Sequence, residues 1–213
     1  MHAFVRHALQ EIECAFVEAG STLTQSQVGN LGEFVTMSIG RKKAFPGYRC
    51  HPANANEPLN TISKSGVDLI WFRFAAEPSA DSVLLQEVKT TRKPGMEIHY
   101  GLVDDHKKMF GRTSRQTLSI MLQAMKSRLV LDESRPDLSK RLTRIAGVSP
   151  QTCQNVTLHP TILHEDTDSD PGSIMLAVRT SIAALGWSES VIEPWSIAMS
   201  ELSDRLQRLG EGL

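Results

Sequence analysis

Gly66-Val67-Asp68-Leu69-Ile70 and Gln86-Glu87-Val88-Lys89-Thr90 decide the architecture of this chain, because each run sets charged side chains into an apolar, strand-forming context. Val67 to Phe74 and Val83 to Thr90 are rich in the β-branched and aromatic residues that favour strands. The segment between them, Ala75-Ala76-Glu77-Pro78-Ser79-Ala80-Asp81-Ser82, is polar and turn-rich, which predicts a hairpin loop. A hairpin places Asp68, near the start of the first strand, opposite the end of the second, where Glu87 and Lys89 stand. Side chains alternate faces along a strand at roughly 3.3 Å per residue, so Glu87 and Lys89 point the same way, roughly 6 to 7 Å apart. Both carboxylates then reach one site.

Two hard oxygen donors converging on a point suit magnesium, with manganese as a substitute; such an ion keeps several waters and takes further ligands from substrate phosphate. It would polarise a phosphodiester and lower the pKa of a bound water. Lys89, beside that water, would orient it or stabilise charge on phosphorus as a compact cation. The implied chemistry is metal-dependent hydrolysis of a phosphodiester.

These residues resemble the PD-(D/E)xK nuclease superfamily with its restriction-endonuclease-like core. Asp68 matches the first acid of the pattern, Glu87 the second, Val88 the apolar spacer and Lys89 the lysine; Val67 stands where the pattern usually writes proline. The resemblance implies an α/β fold with a mixed β-sheet flanked by α-helices, and Asp68, Glu87 and the backbone carbonyl of Val88 as metal ligands. It also implies a glutamate on the helix before the first core strand, for which Glu33 in Val28-Gly29-Asn30-Leu31-Gly32-Glu33-Phe34 is the candidate. It covers residues 28 to 130. The order of elements, with Gly-Glu on a helix, G-V-D and E-V-K on successive strands, a basic helical segment and a C-terminal α/β extension from about 151 to 213, is similar to the nuclease subunit of Hachiman-type anti-phage systems. That similarity implies DNA as substrate and a helicase or ATPase as partner.

Blander readings stand beside these. A Glu-x-Lys pair on one strand face is commonly an exposed ion pair of little energetic weight. Polar residues embedded in apolar strands need partners, however, and a metal is one. Glu33 falls off the stripe formed by Val28, Leu31, Val35 and Ile39 and lies alongside Gly29, Met37 and Gly40. A solvated helix face explains that position, and so does a place where small neighbours admit a metal or phosphate. A non-catalytic subunit that keeps the fold to bind DNA or a partner is the rival from another class.

The chain has 213 residues, 40% hydrophobic and 22% charged, which fits one soluble domain spanning 1 to 213. No apolar run approaches the roughly 20 residues that cross a bilayer, and the N-terminal residues lack signal-peptide shape, so a cytoplasmic location is expected. Cys14, Cys50 and Cys153 are widely spaced and expected to be reduced. The net charge of -1 argues against a free-standing, tight nucleic-acid binder. Basic residues nevertheless gather at Arg41-Lys42-Lys43, Lys89 to Lys93, Lys107-Lys108, Arg112 and Arg115, which marks a DNA path over the half that holds the motif. A partner would then deliver the DNA.

Along the rest of the chain, helices are expected over 3 to 19, 26 to 39, 102 to 110 and 114 to 130, with a long loop from 41 to 64. Residues 131 to 150 should hold a short helix. Residues 155 to 163 read as a strand that Pro160 pushes toward a sheet edge. Asp170 and Pro171 should open a helix to about 185, followed by a strand at 187 to 193 and a helix from Pro194 to Leu209. His159 and His164 with Glu165, Asp166 and Asp168 could form a second metal cluster, although a solvated loop explains the same residues. Phosphate-cradling glycine loops and a nucleophile elbow are missing from the sequence.

Overall fold

The structure, a computed structural model, describes residues 21–52, 67–110, 135–146, 155–166 and 170–211. The helices expected at 3 to 19 and 114 to 130, and Cys14, Cys153, Arg112, Arg115 and Asp168, lie outside these residues. The fold is α/β: a mixed five-stranded sheet with helices on both faces.

Helix α1 (Gln25–Ile39) begins at a capping box, in which Thr24 Oγ1 accepts from the Gln27 amide while Gln27 Oε1 accepts from the Thr24 amide. A π-helical turn (Gly40–Ala44) leads to β1 (Arg49–Pro52), then come β2 (Leu69–Arg73) and β3 (Ser82–Thr91). Helix α2 (Met96–Phe110) and helix α3 (Pro136–Ala146) follow, then β4 (Val156–Glu165), α4 (Pro171–Ala183), β5 (Trp195–Met199) and α5 (Leu202–Glu211). The strand order is β1-β2-β3-β4-β5; β1, β2 and β3 pair antiparallel, whereas β3, β4 and β5 run parallel. The expected hairpin is present, with Leu69 opposite Gln86 and Arg73 opposite Ser82.

Strand alternation sorts the core into two layers. Ile70, Val83, Leu85, Leu158 and Ile162 pack on one face against Leu102 of α2, Leu138 and Leu142 of α3, and Val178 and Ile182 of α4. Leu69, Trp71, Leu84 and Val88 face the other way, against Phe34 and Met37 of α1. Leu202 and Leu206 of α5 join Leu31 and Leu163 on that second side. Each such fully buried aliphatic side chain contributes about 1.5–3 kcal/mol. Glycine lets α1 lie close to the sheet: a Cβ on Gly32 would stand 1.8 Å from Thr90 Oγ1, and one on Gly40 2.5 Å from the Trp71 ring. A buried polar line crosses this face, from Trp71 Nε1 to Gln86 Oε1 (2.8 Å) and from Gln86 Nε2 to Thr161 Oγ1 (2.9 Å).

Three expectations are corrected. The loop predicted from 41 to 64 contains β1, whose Arg-Cys-His-Pro run has little strand character of its own but pairs with the outer edge of β2, burying Cys50 opposite Trp71. Pro160 does not put β4 at an edge: β4 lies between β3 and β5. The β5 ladder starts one residue later, at Thr161 opposite Trp195, so the missing amide falls where that pairing has yet to begin. Finally, 187 to 193 holds a 3-10 turn (Glu189–Val191) opened by Ser188, and Ile192 makes only an isolated bridge to Leu158. The last strand begins instead at Trp195, and the last helix at Leu202 rather than Pro194. The α4 start is as expected, with Asp170 Oδ1 accepting from the Gly172 and Ser173 amides and Pro171 at the first helical position. Cys50 has a reduced thiol. Among the described residues, no helix is long and apolar enough to cross a membrane.

Candidate active site

The site forms where β2 begins and β3 continues past it. Asp68 precedes Leu69, and its amide donates to the Gln86 carbonyl at 3.1 Å. Its Oδ2 accepts from the Val88 amide at 2.7 Å, so the carboxylate takes the place of the next rung of the ladder. The amide and carbonyl of a strand residue face the same edge, so the Val88 carbonyl is also directed toward the Asp68 side. Glu87 is buried, and Lys89 Nζ donates to its Oε1 at 2.8 Å, as strand alternation requires. The same ammonium donates to Asp105 Oδ2, from α2, at 2.5 Å.

Glu33 reaches the group from α1, which packs on the opposite face through Gly32 and Thr90. Its half-buried carboxyl feels both Asp68 and Lys89. The buried side of α1 is formed by Leu31, Gly32, Phe34, Thr36 and Met37, with Val28, Val35 and Ile39 of the expected stripe only partly covered. Glu87 and Asp105 thus hold the ammonium directly, and Asp68 and Glu33 lie within its electrostatic reach. Loss of water pushes the Glu33 and Glu87 carboxyls well above their usual range; the Asp68 charge adds to this and Lys89 opposes it. Asp68 is pushed up to about 6, again by loss of water first, although the Val88 amide and Lys89 pull it down. Burial alone would lower the Lys89 pKa, but Glu87 and Asp105 outweigh it and hold the ammonium charged. Glu87 Oε2 is buried and, among the described residues, no donor reaches it; the Glu87 carboxyl lies within hydrogen-bond reach of Asp68, with which it can share a proton.

All four sequence-derived residues, Glu33, Asp68, Glu87 and Lys89, therefore come together, with Val88 beside them. Asp105 was not anticipated. Its available signal was helical spacing, since Gly101 and Asp105 lie one turn apart on a helix that follows the motif strand, next to the basic pair that drew attention instead. Among the described residues the second cluster does not assemble, and Asp168 lies outside them. His164 is committed to the Glu165 carbonyl (2.7 Å) and Ser196 Oγ (2.8 Å), while His159 sits among Phe45 and Trp195, its pKa lowered to about 4 by burial.

A divalent ion fits the donor set in chemical kind. The acids are hard oxygen donors, they carry more negative charge than Lys89 balances, and one buried oxygen has no donor. Among the described residues, no three His, Cys, Asp or Glu side chains stand close enough together to hold a metal by themselves. An ion here would be held by Asp68, Glu87 and the Val88 carbonyl, with water or substrate oxygen completing its shell. The chain matches no protein-family model, and no curated protein is detectably similar to it in sequence.

Proposed function

We propose that the protein is a metal-dependent nuclease that hydrolyses DNA phosphodiester bonds. The observation that carries this reading is the cluster of Glu33, Asp68, Glu87 and Asp105 around the single ammonium of Lys89, at a point where two strands part. Acids whose pKa values burial raises, grouped about one ammonium, are a costly arrangement that a bound cation relieves. Magnesium or manganese would supply a polarised phosphate and a water acidic enough to attack near neutral pH. The residues themselves divide the remaining work. Asp68 and Glu87 bind the cation, Glu33 adds negative charge from α1, and Lys89 lies beside them to neutralise charge developing on the phosphoryl oxygens. The mixed sheet flanked by helices agrees with the restriction-endonuclease-like resemblance.

Exposed Lys42, Lys43, Arg92, Lys93 and Lys107 offer phosphate contacts in the half of the chain that holds the site. With a net charge of -1, intrinsic DNA affinity is weak, so a helicase or ATPase partner that delivers DNA belongs to the same proposal.

One observation favours the rival, a non-catalytic subunit that binds DNA or a partner: Lys89 already neutralises Glu87, which fills the site's charge deficit in part. The deciding test is cleavage of plasmid and linear DNA in magnesium or manganese by wild type and Lys89→Ala. Cutting by wild type alone supports the nuclease. Silence from both, together with no metal uptake in titration calorimetry, supports the rival.

A further inference from the structure

Lys89 has two anchors, and they are built differently. Glu87 is two residues away on the same strand face, whereas Asp105 comes from α2, sixteen residues on, with its Oδ2 at 2.5 Å from Nζ against 2.8 Å for Glu87 Oε1. α2 approaches the lysine stem through Gly101, one turn before Asp105; a Cβ there would stand 3.6 Å from Lys89 Cε, at van der Waals contact. Asp105 is itself buried. A divalent cation bound to the Glu87 carboxylate would draw on the same negative charge that Lys89 Nζ pairs with through Oε1, so ammonium and cation compete for it.

We propose that Asp105 is the retaining anchor of Lys89: it holds the ammonium when the Glu87 carboxylate turns to a divalent cation, and thereby sets how readily the site accepts that cation. This rests on the metal-dependent reading above. Asp105 is a positioning residue, acting through Lys89 rather than on the cation. Without it, the cation must break the lysine's remaining ion pair. Without Lys89, the competitor is gone, and with it the route by which Asp105 acts on the cation.

The test is manganese uptake by the full chain in the absence of DNA, followed by calorimetry and by the electron paramagnetic resonance signal of free ion. Four proteins are compared: wild type, Asp105→Asn, Lys89→Met and the double variant. Residues in one ion-pair network couple strongly, so Asp105→Asn should weaken uptake about five- to ten-fold and Lys89→Met should strengthen it. In the Lys89→Met background, Asp105→Asn should change uptake by less than about two-fold. Asp105→Glu, which keeps the carboxylate, should restore affinity and so separates anchoring from misfolding. Unchanged uptake by Asp105→Asn, or equal weakening in both backgrounds, overturns the anchor. Wild type that takes up no manganese overturns the metal reading itself, which is a different result.

Discussion

β3 has a buried acid toward each end, and the two are solved in opposite ways. Asp81, immediately before the strand, is 2% exposed, and Glu87 is 3% exposed. Asp81 is complete. Arg141 from α3 grips both its oxygens, Oδ1 also accepts from the Ala75 amide at 2.9 Å, and Arg141 lies over the Phe74 ring and donates to the Ala75 carbonyl. Glu87 has one oxygen shared with a lysine that a second acid also holds, and another with no donor. Equal burial therefore carries no functional information by itself. What separates Asp81 from the proposed site residue Glu87 is whether the partners balance the charge.

The comparison breaks first on activity. Glu87→Gln and Lys89→Ala should each reduce cleavage on the order of a hundred-fold or more, with an unchanged circular dichroism spectrum. Cleavage that persists in both would remove the distinction between the two ends of β3. Asp81→Ala should behave in reverse, lowering Tm by a few degrees, because it removes the buried carboxylate that ties Arg141 of α3 and the Ala75 amide to the start of β3, while folded molecules cut at the wild-type rate. A loss of cutting without a loss of Tm would make Asp81 part of the site.

Gly32→Ala sharpens the contrast from the helix side. Its new Cβ would meet Thr90 Oγ1, so α1 must shift, at about 1–3 kcal/mol, and carry Glu33 away from Asp68. Melting and cleavage should fall together; unchanged melting would mean that α1 accommodates the methyl group freely.

The smallest expected effect is a pH signature. Asp68, pushed up to about 6, keeps its proton longer in the folded state than in the unfolded one, so metal-free stability falls as pH rises from about 4 to about 6. His106 and His159, lowered to about 4, act in the opposite sense: unfolding takes up protons below pH 6.5, so stability falls as pH drops toward 4. The two trends offset each other in wild type. Glu87→Gln should weaken the acid trend and leave a net loss of a few degrees in Tm on acidification, and His159→Phe should tilt the profile the other way. Parallel profiles for all three proteins would contradict this assignment of the buried charges.

The hairpin and the convergence of Asp68, Glu87 and Lys89 were legible in the sequence because strand alternation and a short connection fix them locally. Glu33 was half legible, since helical periodicity placed it off the apolar stripe but could not say that α1 lies close enough to the sheet to bring it to Asp68. Asp105 was not legible, because its role depends on how α2 crosses β3. The same holds for β1, which owes its strand form to the edge of β2, and for the central place of β4, where Pro160 meets a pairing that starts one residue later. Each of these depends on packing between elements distant in sequence, which local propensity does not encode.

The line from Trp71 through Gln86 to Thr161 has a consequence for the acids on the other side of the sheet. Gln86 and Glu87 are neighbours of nearly the same shape, and a slip of β3 by one residue would exchange their faces. Such a slip would drop a carboxylate beside Trp71 and leave an amide where the proposed cation would bind. The amide of Gln86, fastened to strands on either side, makes that slip lose two hydrogen bonds at once. The spacing of the clustered acids is thus kept by a residue whose side chain lies on the opposite face of the sheet, as a key is kept in its lock by the wards rather than by the hand that turns it.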